Sequence, residues 1–328
     1  MEGEDDLMKV LGRIRGAIAL AAGLLLLLAG HSASAQTTKI IVPYPPGSGP
    51  DILSRMMAEQ IGKAQGPTMV IENRPGGGTL IGTEAAARAA PDGNTVLLVA
   101  NSFVVNPALK KGNYDVSKSF EPVCYLAATP MVLVVQGSSP YKTLDDLVAA
   151  AREKPGEIVF SSGGPASSLH VAIEVLRRAA NITITYVPYP GTAPSINALM
   201  GGHVTAVWAD YPTVVSQLKA GTLRGLVTTS AERVDALPDV PTLSETGIVK
   251  YEIDIFYGLV APAKTPPERL KQLTGWFSAA LKAPDVQPKL ARQGLFPVGM
   301  CGAPFGEFMQ KHVAEYGRII KESGIGGK

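Results

Sequence analysis

The chain of 328 residues is 46% hydrophobic and carries 30 Lys and Arg against 28 Asp and Glu. This length and apolar content are enough for one large or two medium α/β domains with buried cores. After residue 35 no run of basic side chains is longer than two, which argues against a nucleic-acid-binding protein. The sequence has no C-x-x-C or H-E-x-x-H pattern, so we expect neither a metal site nor a cofactor.

The N-terminal segment predicts export. Basic side chains precede an apolar run, and a cleavage site of small residues follows it: Lys9, Arg13, Arg15, 17–29 and Ala33-Ser34-Ala35. The apolar run of about 13 residues is shorter than the roughly 20 that a membrane-spanning helix needs. We therefore interpret residues 1–35 as a cleavable signal peptide and Gln36 as the start of the mature protein. The translation start, Met1 or Met8, stays open.

From residue 39 onward, short β-branched runs alternate with amphipathic helical patterns. This alternation is typical of α/β folds in which helices cover largely parallel sheets. The runs predict strands at 39–42, 68–71, 95–99, 131–135, 157–160, 183–187, 204–208 and 225–229. The apolar spacing predicts helices at 51–63, 83–89, 144–152, 170–180, 195–200, 267–282 and 304–323.

The string Val-Pro-Tyr-Pro occurs at 42–45 and again at 187–190. Each copy follows a predicted strand and leads through glycine into a helix. We infer two lobes built on one plan; a chance repeat in a proline-rich chain is the alternative.

The chain has two cysteines, Cys124 and Cys301. One disulfide is possible in an oxidising compartment, but spacing along the chain does not show whether the two lie close together. The favoured interpretation is two buried free thiols, and their pairing stays open.

Glycine- and serine-rich loops that join strands to helices are the candidate binding site. Ligands of open α/β sheets bind at the carboxyl ends of strands, and helix N-termini offer unpaired N–H groups to anions. Loops 44–51 and 161–168, facing each other, would hold both ends of a dicarboxylate without Lys or Arg; each could instead merely cap its helix. The turn 76–78 could also line the site, or it could merely turn the chain. The residues selected are Tyr44, Gly47, Ser48, Gly49, Asp51, Ser161, Ser162, Gly163, Ser167, Ser168, His170, Asp210 and Phe256. Asp51 and Asp210 could instead cap turns or helices. Phe256 and Tyr257 follow a period-two pattern and could lie in the core or in the cleft.

Patterns of catalytic sites are missing. The chain has no G-x-S-x-G elbow, and Gly47-Ser48-Gly49 lacks the last glycine of a dinucleotide-binding loop, because Ile52 stands there. A triad of Ser48, His170 and an acid is a pattern of low specificity. We therefore expect a binding protein rather than an enzyme, with a secreted hydrolase as the alternative.

Taken together, the motifs resemble the Bug-type receptors of the tripartite tricarboxylate transporter family, and the likeness extends from residue 40 to residue 325. The motifs are V-P-Y-x-P-G-x-x-x-D at 42–51, E-N-R-P-G at 72–76, A-A-P-D-G at 89–93, N-P-A-L at 106–109, V-P-Y-x-G-x-A-P at 187–194, L-M-G-G at 199–202, A-L-P-D-V-P-T at 236–242 and Y-G-L-x-A-P at 257–262.

The resemblance implies a periplasmic binding-protein type II fold, with the ligand between two α/β lobes joined by crossing strands. The first lobe would be 36–123 plus 240–328, and the second 124–239. A monomer in the periplasm would close on a small carboxylate and present it to integral-membrane transporter subunits or, alternatively, to a sensor kinase. The resemblance also adds these ligand-binding residues: Asn101, Ser102, Tyr189, Gly191, Thr192 and Ala193.

Some residues depart from the family pattern. Pro50 removes one N–H from the first loop. Phe103, Trp208 and Tyr211 add aromatic side chains near the expected site. We therefore hypothesise an aromatic or bulky carboxylate as the ligand.

Overall fold

The computed structural model describes residues 37–164, 167–250 and 254–323. From Thr37 onward the chain forms one compact unit with two mixed sheets and surrounding helices. The predicted signal peptide and Gln36 lie outside the described residues. Across the described ranges, no helix is both long and apolar enough to span a membrane.

Eleven strands are found in the described ranges: β1 Thr37–Val42, β2 Thr68–Asn73, β3 Thr95–Val99, β4 Phe120–Thr129, β5 Met131–Gln136, β6 Val159–Ser162, β7 Thr185–Pro188, β8 Ala206–Asp210, β9 Leu223–Thr228, β10 Ile255–Pro262 and β11 Phe296–Cys301. The first sheet has the order β11-β4-β10-β3-β1-β2, and the second has the order β7-β6-β8-β5-β9. In both sheets parallel pairs are combined with antiparallel ones. The α/β class predicted from the sequence is therefore confirmed.

Ten α-helices pack on these sheets in the part of the chain that is described: α1 Gly49–Lys63, α2 Leu80–Ala87, α3 Ser102–Ala108, α4 Leu144–Glu153, α5 Ser168–Ala179, α6 Thr192–Met200, α7 Tyr211–Lys219, α8 Pro267–Lys282, α9 Gln287–Arg292 and α10 Ala303–Ser323. The start of α4 shows why local sequence predicted several of them. Thr143 accepts a hydrogen bond from the Asp146 N–H, and the Asp146 carboxylate accepts one from the Thr143 N–H.

The two sheets define the two lobes named below. The first lobe is the six-stranded sheet with its helices, and the second lobe is the five-stranded sheet with α4 to α7. The chain crosses between them at Pro130, where β4 ends and β5 begins, and returns between β9 and β10. The lobe boundary predicted between residues 123 and 124 falls inside strand β4. This strand stays paired in the first sheet as far as Thr129.

A disulfide joins Cys124 to Cys301. The two residues are opposite each other in the antiparallel pair of β4 and β11. The favoured interpretation of two free thiols is therefore wrong. Strand pairing brings together residues that are 177 positions apart, and no local pattern reveals such a pairing.

The extra aromatic side chains lie in the core. Phe103 is 2% exposed, and its ring packs 5.2 Å from the rings of both Tyr114 and Phe120, measured between centroids. Trp208 and Tyr211 are also fully buried. Because none of these three departures lines the site described below, the premise of the aromatic-ligand hypothesis is wrong.

Candidate functional site

Two adjoining cavities lie between the lobes, where strand ends meet helix N-termini. The inner cavity has a volume of about 40 Å³ and the outer cleft one of about 290 Å³. They share Tyr44, Pro45, Ser102, Gly163, Ser167 and Gly191 as lining residues. A crevice between two α/β lobes at strand ends is the usual position of a small-molecule site.

The inner cavity is lined by ten of the residues selected from the sequence and by six that were not selected. The selected ones are Tyr44, Ser48, Asn101, Ser102, Gly163, Ser167, Ser168, Gly191, Thr192 and Asp210, and the others are Pro45, Pro50, Ala100, Leu169, Ile255 and Tyr257. Tyr189 lines the outer cleft instead. The remaining selected residues line neither cavity: Gly47, Gly49, Asp51, Ser161, Ser162, His170, Ala193 and Phe256.

Asp51 stabilises the conformation of the loop 44–51 by hydrogen bonds. Its carboxylate accepts hydrogen bonds from the Gly47 N–H, from Arg55 Nε at 3.0 Å and from Asn73 Nδ2 at 2.9 Å. Burial alone would raise the pKa of this carboxyl group, but these donors outweigh it and lower the pKa below the ordinary aspartate value. Gly47 has a φ of +78°, which favours glycine at this turn.

The N-terminus of α1 is occupied by the protein itself. The Gly49 N–H donates to Asp210 Oδ2 of the second lobe at 3.0 Å, and Pro50 has no N–H. The same oxygen accepts hydrogen bonds from the Tyr257 hydroxyl at 3.1 Å and the Thr213 hydroxyl at 2.8 Å. Gly49 was selected from the sequence as a ligand-binding residue, whereas the structure directs its amide to a carboxylate 161 residues away.

The second lobe presents the start of two helices to the inner cavity. At α5, the Ser167 hydroxyl accepts a hydrogen bond from the His170 N–H, and Ser168 and Leu169 line the cavity. At α6, Gly191 is the N-cap residue and Thr192 lines the cavity. Within the described residues, the N–H groups of Ser168, Leu169 and Thr192 have no acceptor. Unpaired N–H groups at helix N-termini favour an anion.

Other polar candidates of the second lobe are engaged behind the cavity. The Ser161 hydroxyl lies 2.5 Å from the Ser195 hydroxyl, both fully buried. His170 stacks on Tyr186 with 4.4 Å between ring centroids, and burial lowers the pKa of its imidazole. Pro165 and Ala166 of the predicted loop 161–168 lie outside the described residues.

Strand β10 shows how period two decides which side chain reaches the site. Tyr257 lines the inner cavity, whereas the ring of Phe256 packs 5.4 Å from Phe308 in an aromatic cluster. Successive side chains of a strand point to opposite faces, so only one of these neighbours can face the ligand. The alternation was visible in the sequence, but not which face was inside. Burial raises the pKa of both the Tyr257 and Tyr44 hydroxyls, which therefore stay protonated donors at neutral pH.

Asn101 ties the first lobe together at the edge of the cavity. Its Nδ2 donates to the Asp254 carbonyl and, at 2.6 Å, to the Tyr316 hydroxyl, while its Oδ1 accepts a hydrogen bond from the Phe256 N–H. Residues Gly76 to Thr79 of the glycine-rich turn line the outer cleft.

This fold and cleft define a two-lobed α/β binding protein. The family model described as "Tripartite tricarboxylate transporter family receptor" matches residues 53–325, and the chain belongs to this family. The resemblance stated from the motifs is thus confirmed.

Three solved structures show what this chain is similar to. The periplasmic binding protein BugD is 29% identical with a TM-score of 0.84, covering 88% of this chain and 98% of its own. Rpa4515 of R. palustris, solved with adipate, is 28% identical with a TM-score of 0.85 and coverage of 89% and 99%. MatC from Rhodopseudomonas palustris, with bound malate, is 26% identical with a TM-score of 0.82 and coverage of 88% and 99%.

Proposed function

We propose that the mature protein is a periplasmic receptor that captures a small carboxylate between its lobes and delivers it to the membrane subunits of a tripartite tricarboxylate transporter. The observation that carries the proposal is the inner cavity, where two helix N-termini and several hydroxyl groups converge. Such uncharged donors bind a carboxylate without a cationic side chain. Adipate and malate in the related structures fit this ligand class.

Lobe closure is the mechanism that the contacts support. The lobes are joined at the inner cavity by the hydrogen bond from Gly49 to Asp210 and by the close approach of Gly191 to the Pro45 ring. A ligand that bonds to both lobes stabilises this closed arrangement by its differential affinity. The membrane partner would then distinguish closed from open protein; a sensor kinase could use the same signal.

We also propose that the cleft performs no catalysis. The Ser48 hydroxyl donates to the Pro45 carbonyl, and His170 is stacked on Tyr186 outside the cavity lining. The Ser48 and His170 pair considered for a hydrolase is therefore not formed in this arrangement. Recovery of a bound ligand unchanged after prolonged incubation with the protein tests this part of the proposal, and a hydrolysed product contradicts it.

The binding test uses the mature protein, residues 36–328, in native mass spectrometry and isothermal titration with a panel of small carboxylates and their neutral amides. We expect at least one carboxylate to bind and its amide not to bind. Thr192→Val removes a lining hydroxyl and should weaken binding roughly 2- to 12-fold, the effect of one neutral hydrogen bond. Thr222→Val, at an exposed position, is the matched control and should leave affinity unchanged. Binding of the amides as tightly as the acids would contradict the proposal.

A further inference from the structure

Asp210 is the charged residue of the site. Among the described residues that line the inner cavity and the outer cleft, no other carries a formal charge. It ends β8, precedes α7, and is 3% exposed. A buried carboxylate in a site for anions requires a physical explanation, because like charges repel strongly where water is excluded.

The two oxygens of Asp210 have different environments. Oδ2 accepts all three hydrogen bonds of the carboxylate, from Gly49, Tyr257 and Thr213. Oδ1 has no donor within the described ranges and is not enclosed, so it is accessible from the inner cavity that Asp210 lines. A carboxylate oxygen in this position is a strong acceptor without a donor.

The anion-binding groups and Asp210 belong to one cavity. The helix N-termini at Ser168 and Thr192 and the carboxylate of Asp210 all line the inner cavity. An anionic group of the ligand at the helix N-termini is therefore next to Asp210. A donor group on the same or an adjacent carbon atom of the ligand is the one best placed to reach Asp210 Oδ1.

We infer that the ligand is a 2-hydroxy or 2-amino carboxylic acid, whose carboxylate binds the N-termini of α5 and α6 and whose hydroxyl or ammonium group donates to Asp210 Oδ1. Asp210 is thus a specificity-determining residue. The inference rests on the proposed function and narrows its ligand class. The rest of the ligand extends into the outer cleft, which is uncharged and adjoins the inner cavity, so a second carboxylate is tolerated there.

Matched sets of acids test the inference by isothermal titration of the wild-type protein: butanoate, 2-hydroxybutanoate and 2-aminobutanoate; succinate, malate and aspartate; 3-phenylpropanoate, 3-phenyllactate and phenylalanine. Within each set that binds, we expect the 2-hydroxy or 2-amino acid to bind at least about tenfold more tightly than the unsubstituted acid. This factor is the effect of one hydrogen bond to a charged acceptor. Equal affinity within a set overturns the inference and leaves the proposed function intact. Failure of every acid to bind, in these sets and in the wider panel, overturns both.

Asp210→Asn separates the specificity of Asp210 from its contacts between the lobes. The variant weakens closure for all members of a set alike, so the readout is the ratio of their affinities. We expect this ratio to fall to about fivefold or less, because a hydrogen bond between neutral groups is weaker. The exposed Asp235→Asn is the control for charge and should keep the wild-type ratio. Circular dichroism verifies that both variants are folded, and an unchanged ratio in Asp210→Asn overturns the inference.

Discussion

Replacing Gly49 with alanine should open the contact between the lobes. A β-carbon at this position would lie 2.3 Å from Asp210 Oδ2 and 2.4 Å from the Tyr257 hydroxyl oxygen, both too close for van der Waals contact. Gly49 begins α1 and does not have a positive φ, so alanine causes no backbone strain there. The penalty therefore falls on the closed arrangement, where the Gly49 N–H donates to a charged carboxylate across the lobes.

The magnitude follows from that hydrogen bond. A hydrogen bond to a charged group contributes about 1.5–3 kcal/mol, which corresponds to roughly a 10- to 150-fold loss of the closed population. The apparent Kd of a ligand that binds only closed protein rises by the same factor once the closed form is the minor state. Isothermal titration with a carboxylate selected by the panel measures the loss, and small-angle scattering measures the accompanying expansion.

Gly62→Ala is the matched control, because Gly62 lies in the same helix and a β-carbon there meets no atom within 4 Å. It should bind the ligand like the wild type and gain up to about 1 kcal/mol of stability from helix propensity. The same Kd for Gly49→Ala and Gly62→Ala would refute the role assigned to the contact between the lobes.

Three further predictions concern stability and are measured by urea unfolding. Replacing both Cys124 and Cys301 with serine opens a loop of 177 residues and should cost about 2–5 kcal/mol; equal stability of the wild type with and without reductant would contradict this. In Gly294→Ala the backbone keeps a φ of +65° and the new β-carbon lies 1.7 Å from a buried tyrosine ring, so the variant should lose about 1–3 kcal/mol of stability or more. Gly275→Ala is the control and should not destabilise the protein, because the space around Gly275 is open. Asp51 has a lowered pKa in the folded state, so its stabilising contribution is complete above the unfolded-state pKa and is lost as the pH falls through the folded-state pKa. Asp51→Asn should therefore be less stable than the wild type at pH 7, and the difference in their free energies of unfolding should narrow below about pH 4. A difference that stays constant with pH would contradict the stabilising role of the ionised Asp51 carboxylate.

Much of the fold follows from local sequence. The capping pair of Thr143 and Asp146 marks the start of α4, and the β-branched run at 95–99 is the buried strand β3. Some residues of the glycine-rich loops selected from the sequence line the cavities, among them Tyr44, Ser48, Gly163 and Ser167. These features depend on hydrogen bonds and side-chain periodicity within a few residues, which a sequence displays directly.

Other elements gave no clear local signal. Strand β10 is buried along its whole length, so its sequence lacks the exposed polar positions that mark a half-exposed strand. Strand β4 carries Pro122 and is largely buried in the same way. Helix α7 begins at Tyr211 immediately after β8 and has Pro212 in its first turn. Period-two spacing at Phe256 and Tyr257 allowed either side chain to face the ligand, and packing against Phe308 decided between them.

The sequence alone determined the class of protein and the loops that form its cleft, because strand and helix patterns, glycines and hydroxyl residues are local properties of the chain. Only the tertiary structure decided what those loops do. It paired Cys124 with Cys301, and it placed the carboxylate of Asp210 on the amide of Gly49. Both contacts join residues more than 150 positions apart. Such partners meet because whole sheets and lobes pack together, and no residue nearby in the sequence indicates the pairing.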